Sequence, residues 1–151
     1  MCGIVGLYLK NPSLESRLGE LFEPMLIAMT DRGPDSAGFA IYGDEVPEGE
    51  TKVTLRHPED DYDWESLAGA MAEGLVTEIS WFRNANAAVF KIRAGEEQVR
   101  AWLQESAPDA LVLSIGRSIE ILKEVGLPEK IAGKFKLSAM KGSHIIGHTR
   151  M

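Results

Sequence analysis

Met1-Cys2-Gly3-Ile4-Val5-Gly6-Leu7 opens the chain and holds its only cysteine. The small side chain of Cys2 favours removal of the initiator methionine. That would leave a thiol and a free α-amino group on one carbon. Such an amine, with a pKa of about 7.7–8.0, takes up a proton near neutral pH, so the thiol carries its own base. The plain alternative is that a lone cysteine near an N-terminus does nothing. Gly3 and Gly6 weigh against it, because a strand kept free of side chains there lets a substrate approach the backbone.

Working outward, Gly3 to Leu9 reads as a buried strand closed by Asn11-Pro12, with Ser13 as the expected N-cap of a helix. Leu14, Leu18, Leu21, Phe22, Met25, Leu26 and Met29 recur at helical spacing, and Pro24 predicts a kink or two consecutive helices. Thr30-Asp31-Arg32-Gly33-Pro34-Asp35-Ser36-Ala37-Gly38 then forms a shaped loop before the strand Phe39-Ala40-Ile41-Tyr42. Gly33-Pro34 sets a turn, and Arg32 offers a fork of donors suited to a carboxylate. An equally simple reading pairs Asp31, Arg32 and Asp35 with one another at a loop surface.

The middle of the chain is less informative. Gly43 to Asp63 is polar, with a short strand at Val53-Thr54-Leu55. Its acidic run Glu59-Asp60-Asp61-Tyr62-Asp63 lacks the spacing of a calcium loop. Trp64 to Val76 reads as a helix. From about residue 84 to 128 a β-α-β-α segment is expected as an insertion: strands at Ala88–Ile92 and Ala110–Ser114, helices at Glu96–Gln104 and Ile119–Val125, the last ended by Gly126 and Pro128. Ser114-Ile115-Gly116-Arg117-Ser118, between strand and helix, is a weak anion-binding signal. Lys134 to Lys141 is basic and irregular, and His144 to the chain end reads as a strand.

Composition sets the outer bounds. The 151 residues suit one domain, and 44% hydrophobic with 26% charged residues is ordinary for a globular protein. A net charge of −7 argues against nucleic acid as a partner. No uncharged apolar stretch is long enough to span a bilayer, no signal peptide is recognisable and one cysteine makes no internal disulfide. A cytoplasmic domain is therefore expected. His144 and His148 lie four apart, but Ile145-Ile146 between them favours a strand, so no metal site is expected. Nothing in the sequence calls for a cofactor.

Three segments stand out together: Met1-Cys2-Gly3-Ile4-Val5-Gly6, Asp31-Arg32-Gly33-Pro34-Asp35-Ser36-Ala37-Gly38 and Gly147-His148-Thr149-Arg150-Met151. In this order they resemble the class II, N-terminal-nucleophile glutamine amidotransferases, a family that includes glutamate synthase and asparagine synthetase. The stretch between Gly43 and Met140 carries no family motif, and its length is more like the glutamate-synthase-like or N-methylglutamate-synthase-like members than the compact ones. The resemblance implies an α+β fold, the first half of an αββα sandwich. It also implies L-glutamine as substrate and a synthase domain or subunit that receives ammonia.

By the same resemblance, Cys2 is the nucleophile, Arg150 grips the substrate carboxylate, Arg32 and Gly33 shape the pocket, and His148 and Thr149 support the strand end. The family also carries an Asn-Gly pair as oxyanion hole and an aspartate for the substrate amine, both downstream of Gly-His-Thr-Arg. This sequence has no Asn-Gly pair. The expectation is thus the N-terminal part of a glutaminase domain, poorly active alone. The alternative is a non-catalytic fragment or a ligand- or partner-binding module.

Overall fold

The computed structural model describes residues 2–59 and 61–150. Strands β1 (Gly3–Tyr8), β2 (Ser36–Tyr42), β7 (Ile119–Val125) and β8 (His144–Arg150) form one four-stranded antiparallel sheet in the order β1-β8-β2-β7. A second such sheet holds β3 (Thr51–Arg56), β4 (Ile79–Asn84), β5 (Ala87–Ile92) and β6 (Leu111–Gly116) in the order β4-β5-β3-β6. The α-helices are α1 (Leu18–Ile27), α2 (Trp64–Leu75), α3 (Glu96–Ser106) and α4 (Pro128–Lys134). The class is α+β, as the sequence implies. Met1–Asp44 with Ile121–Met151 makes one compact unit, and Glu45–Glu120 makes a second.

In the first unit, period-two alternation puts Ala37, Phe39, Ile41, Ile145, Gly147 and Thr149 on the buried side of the sheet. Helix α1 covers that side, with Phe22 and Leu26 fully buried against Gly147. A Cβ on Gly147 would sit 2.7 Å from the Phe22 ring and 2.8 Å from Leu26, so only glycine lets the helix lie this close. Phe135, the C-cap of α4, presents a ring that meets Phe39 edge-on at 6.2 Å. In the second unit, Val53, Leu55, Phe90 and Ile92 of the sheet pack against Trp64, Leu67 and Met71 of α2 and Val99 and Leu103 of α3. Burying each such side chain is worth roughly 1.5–3 kcal/mol, so each unit has a core of its own.

Several local expectations need correction. Ile119–Val125 is a strand, not a helix: β-branched Ile119, Ile121 and Val125 alternate, and short apolar runs do not separate the two periods. The expected β-α-β-α segment is therefore β5-α3-β6-β7, and Arg117-Ser118 carry the chain from the second sheet into the first. The helix N-terminus invoked for anion binding at 114–118 does not exist. Pro128 begins α4 instead of ending a helix, since its missing N–H costs nothing in a first turn. Strand β4 is additional to the strands expected from sequence; it pairs with β5 through a turn at Ala85-Asn86, where Ala85 takes a φ of 57°.

The N-terminal helical stretch also differs. It divides into a 3₁₀ segment, Pro12–Arg17, and α1, which runs through Pro24 to Ile27. Asn11, not Ser13, caps the 3₁₀ segment, its side chain accepting from the Ser13 N–H at 3.1 Å. Asp63 caps α2: the Ser66 hydroxyl donates at 2.6 Å and the Ser66 N–H at 3.0 Å. Those two bonds, the hydroxyl first, hold the Asp63 carboxyl below its usual range. Of the acidic run at 59–63, Asp60 lies outside the described residues.

Helix α2 ends on a misfit. Val76 occupies its C-cap in the left-handed region, φ 49° and ψ 52°, with its side chain 90% exposed. A branched Cβ there costs about 1–2 kcal/mol that no burial offsets. Val76→Gly should therefore raise stability by about 1 kcal/mol, read as a higher urea midpoint with an unchanged slope. A lowered midpoint would show that Val76 makes a contribution its exposure conceals.

Candidate functional site

Strand β8 is the hub. Its neighbours pair with it so that Gly3 faces Thr149 and Ile4 faces His148 on one side, while Ala37 faces Thr149 and Ser36 faces Arg150 on the other. Extended by one residue, the β1 register sets Cys2 opposite Arg150, with Ser36 beyond it. Both Cys2 and Arg150 are exposed. Opposed residues in an antiparallel ladder have Cα atoms about 4.5–5.5 Å apart, so a thiol and a guanidinium share one end of one sheet.

The turn carrying Arg32 and Gly33 locks onto that end. A 3₁₀ turn at Thr30–Arg32 follows α1, fixed by the Thr30 hydroxyl donating to the Ile27 carbonyl at 2.6 Å. Thr149, fully buried, donates its hydroxyl to the Met29 carbonyl at 3.1 Å. Gly3 is seated in the resulting niche: a Cβ on it would lie 2.8 Å from the Thr149 hydroxyl and 3.0 Å from the Arg32 Cβ. Gly33 is buried on the backbone of Arg150, where an added Cβ would stand 2.5 Å from both its N and its C. The Asp35 N–H then donates to the Arg150 carbonyl at 3.0 Å, and the Gly126 N–H to the Asp35 carbonyl at 2.7 Å.

Of the residues singled out from sequence, Cys2, Arg32, Gly33, His148, Thr149 and Arg150 thus converge on one end of the β1-β8-β2 ladder. Their positions differ in kind. Cys2, Arg32, His148 and Arg150 are exposed, whereas Gly33 and Thr149 are buried braces. Asp31 and Asp35 are exposed on the same turn. The backbone braces at Met29, Asp35 and Gly126 escape sequence reasoning; the only signal for them is the position of Asp35 directly after Gly33-Pro34. Removal of Met1, which would free the Cys2 amine, concerns a residue outside those described.

Other features add nothing to this end of the sheet. His144 and His148 lie on a strand, about 13 Å apart at its rise per residue, too far to share an ion. Among the described residues no group of three or more His, Cys, Asp or Glu is arranged to hold a metal ion. A concavity of about 510 Å³ in the second unit is lined by Glu45, Glu50, Glu78, Lys91 and Arg93 among others. Within it, Arg93 meets Glu78 at 2.8 Å and Glu50 at 3.6 Å. No helix among the described residues is long and apolar enough to cross a membrane.

Chemically, a thiol beside a guanidinium can attack an acyl carbon while the fork holds a carboxylate of the same molecule. Comparison with known proteins bears on that reading. No family model matches the chain. It is homologous to the glutamine amidotransferase-like protein GlxB of Rhizobium meliloti (strain 1021), 47% identical over 151 residues, which is all of this chain and 50% of the relative. It is also homologous to a protein of Methanothermobacter thermautotrophicus named as a putative glutamine amidotransferase, 31% identical over 158 residues, covering 99% of this chain and 52% of that one. The chain spans about half the length of both.

Proposed function

We propose that this chain, homologous throughout its length to glutamine amidotransferase-like proteins, is the nucleophile-bearing part of a class II glutaminase domain. In this reading it supplies the first half of an αββα sandwich. The observation that carries the proposal is the β1-β8-β2 register, which sets Cys2 beside Arg150, with Gly33 packed on the Arg150 backbone. The roles of those residues are the ones that the resemblance to class II glutamine amidotransferases implies.

The reaction runs in two stages. Arg150 holds the α-carboxylate of L-glutamine bidentately, bringing the side-chain amide over Cys2. The thiol gives its proton to the Cys2 α-amine, and Sγ bonds to the amide carbon. The C–N bond breaks as that proton passes to nitrogen, releasing ammonia and leaving a γ-glutamyl thioester. Water adds to the thioester, the C–S bond breaks, and glutamate leaves with the thiol restored. Ammonia then passes to a synthase domain or subunit. Amide hydrolysis exchanges no electrons, so the scheme asks for no cofactor.

The second reading is a ligand- or partner-binding module without turnover. Mass spectrometry after exposure to a glutamine-analogue diazoketone tests the first reading. A single adduct on Cys2 of a chain lacking Met1, prevented by L-glutamine and not by D-glutamine, is the expected result. Retained Met1, or alkylation that L-glutamine leaves untouched, would remove the glutaminase reading.

A further inference from the structure

The second unit runs β3-α2-β4-β5-α3-β6 with strand order β4-β5-β3-β6, a split βαβ arrangement that sets both helices on one face of its sheet. Val53, Trp81, Phe90 and Ile92 pack toward the helices, so alternation turns Lys52, Ser80 and Lys91 to the other face. Lys52 and Lys91 are direct partners in the β3-β5 ladder, where like charges repel. Lys52 is 1% exposed and is answered by Glu120. Lys91 lines the 510 Å³ concavity of this unit, next to Ser80, its partner on β4.

The remaining wall of that concavity is held in place. The Val46 N–H donates to the Arg117 carbonyl at 3.0 Å, and the Arg117 side chain donates to the Val46 carbonyl at 3.2 Å. The next turn closes with the Glu50 N–H on the Pro47 carbonyl at 3.1 Å, Gly49 supplying a φ of 85°. Two of the lining carboxylates sit in close ion pairs, Glu45 with Arg117 at 3.2 Å and Glu78 with Arg93 at 2.8 Å. Lys91 and Glu50 are the lining charges outside those pairs. The 3.6 Å from Glu50 to Arg93 is too long for a hydrogen bond. One cation and one anion thus border a space that Val46, Pro47 and Ile79 also line, of a size usual for small-molecule sites.

We propose that this concavity binds a free L-α-amino acid with an uncharged side chain. The carboxylate sits on Lys91 and Ser80, the ammonium on Glu50, and the side chain along Val46, Pro47 and Ile79. A zwitterion supplies both charges at once, and its carboxylate offsets the repulsion between Lys91 and Lys52. The site lies within the second unit and does not rest on the glutaminase reading.

Isothermal titration calorimetry of the intact chain with L-leucine, L-methionine and L-phenylalanine, each added separately, tests this. At least one should bind with a Kd below about 1 mM. Lys91→Met and Glu50→Gln should each weaken that binding at least about tenfold, as should removing the amine or the carboxylate from the ligand. Arg150→Ala should leave it unchanged, which separates this site from the Cys2 end of the first sheet. If a variant fails to fold, amide hydrogen exchange of the unaltered chain is the measure, and slowing at residues 46–50 is expected on adding the amino acid.

The proposal is overturned if none of the three binds, or if binding ignores both Lys91→Met and Glu50→Gln. It is equally overturned if the deaminated ligand binds as tightly as the amino acid, if Arg150→Ala abolishes binding, or if exchange at 46–50 does not slow. Failure of L-glutamine to protect Cys2 would remove the glutaminase reading and leave this site standing.

Discussion

Alone, the 151-residue chain is expected to release glutamate from L-glutamine at least about 100- to 1,000-fold more slowly than a longer form supplying an Asn-Gly donor pair. In the proposed reaction, attack by Cys2 would turn the amide carbon tetrahedral and place a full negative charge on its oxygen. Preorganised donors stabilise that charge, and removing one raises the barrier by about 2.7–4 kcal/mol. The sequence contains no Asn-Gly pair, while the β1-β8 register, extended by one residue, sets Cys2 opposite Arg150. Binding and catalysis should therefore separate. A diazoketone, whose displacement by thiolate leans less on an oxyanion hole, should still label Cys2, whereas an enzyme-coupled glutamate assay should read near background. Steady release from the chain alone, abolished by Cys2→Ala, would overturn this expectation.

That expectation rests on how the proposed site is written in the chain. The proposed reactive groups are picked out by short motifs, a cysteine beside Gly3 and an arginine beside Gly33, whose roles come from the resemblance of three such segments in order. Strands β1 and β8 are legible for a similar reason, as apolar runs bounded by Asn11-Pro12 and by Gly142-Ser143. The braces are not. The Thr149 hydroxyl meets the Met29 carbonyl across 120 residues, and no local pattern announces which carbonyl a buried threonine will find. The strand at Ile119–Val125 is hidden for another reason: its seven residues suit either period, and pairing along β2 decides between them.

The glycine between the two arginine-bearing segments offers the sharpest test of this long-range construction. Gly33→Ala is expected to slow glutamine-analogue labelling of Cys2 about 100-fold and to cost roughly 1–3 kcal/mol of stability. The reason is not a special dihedral, since Gly33 is extended at a φ of −176°. It is space: the new Cβ would lie 2.5 Å from the N and C of Arg150 and 2.7 Å from its Cα. Those are backbone atoms of a strand whose carbonyl is already held by the Asp35 N–H, so they cannot swing aside as a side-chain tip would. Either the turn at 30–33 lifts from β8, or the end of β8 moves. Both shift Arg32 or Arg150 relative to Cys2 by a substantial fraction of an ångström, and misplacement of about 1 Å can cost 100-fold. Gly6→Ala is the control, because its Cβ would meet only ordinary contacts, the nearest being the Ile145 carbonyl at 3.6 Å. Labelling kinetics followed by mass spectrometry, alongside urea unfolding of both variants, make the comparison. If Gly33→Ala labels and unfolds like Gly6→Ala, the turn does not position the arginines, and the site must be held together in some other way.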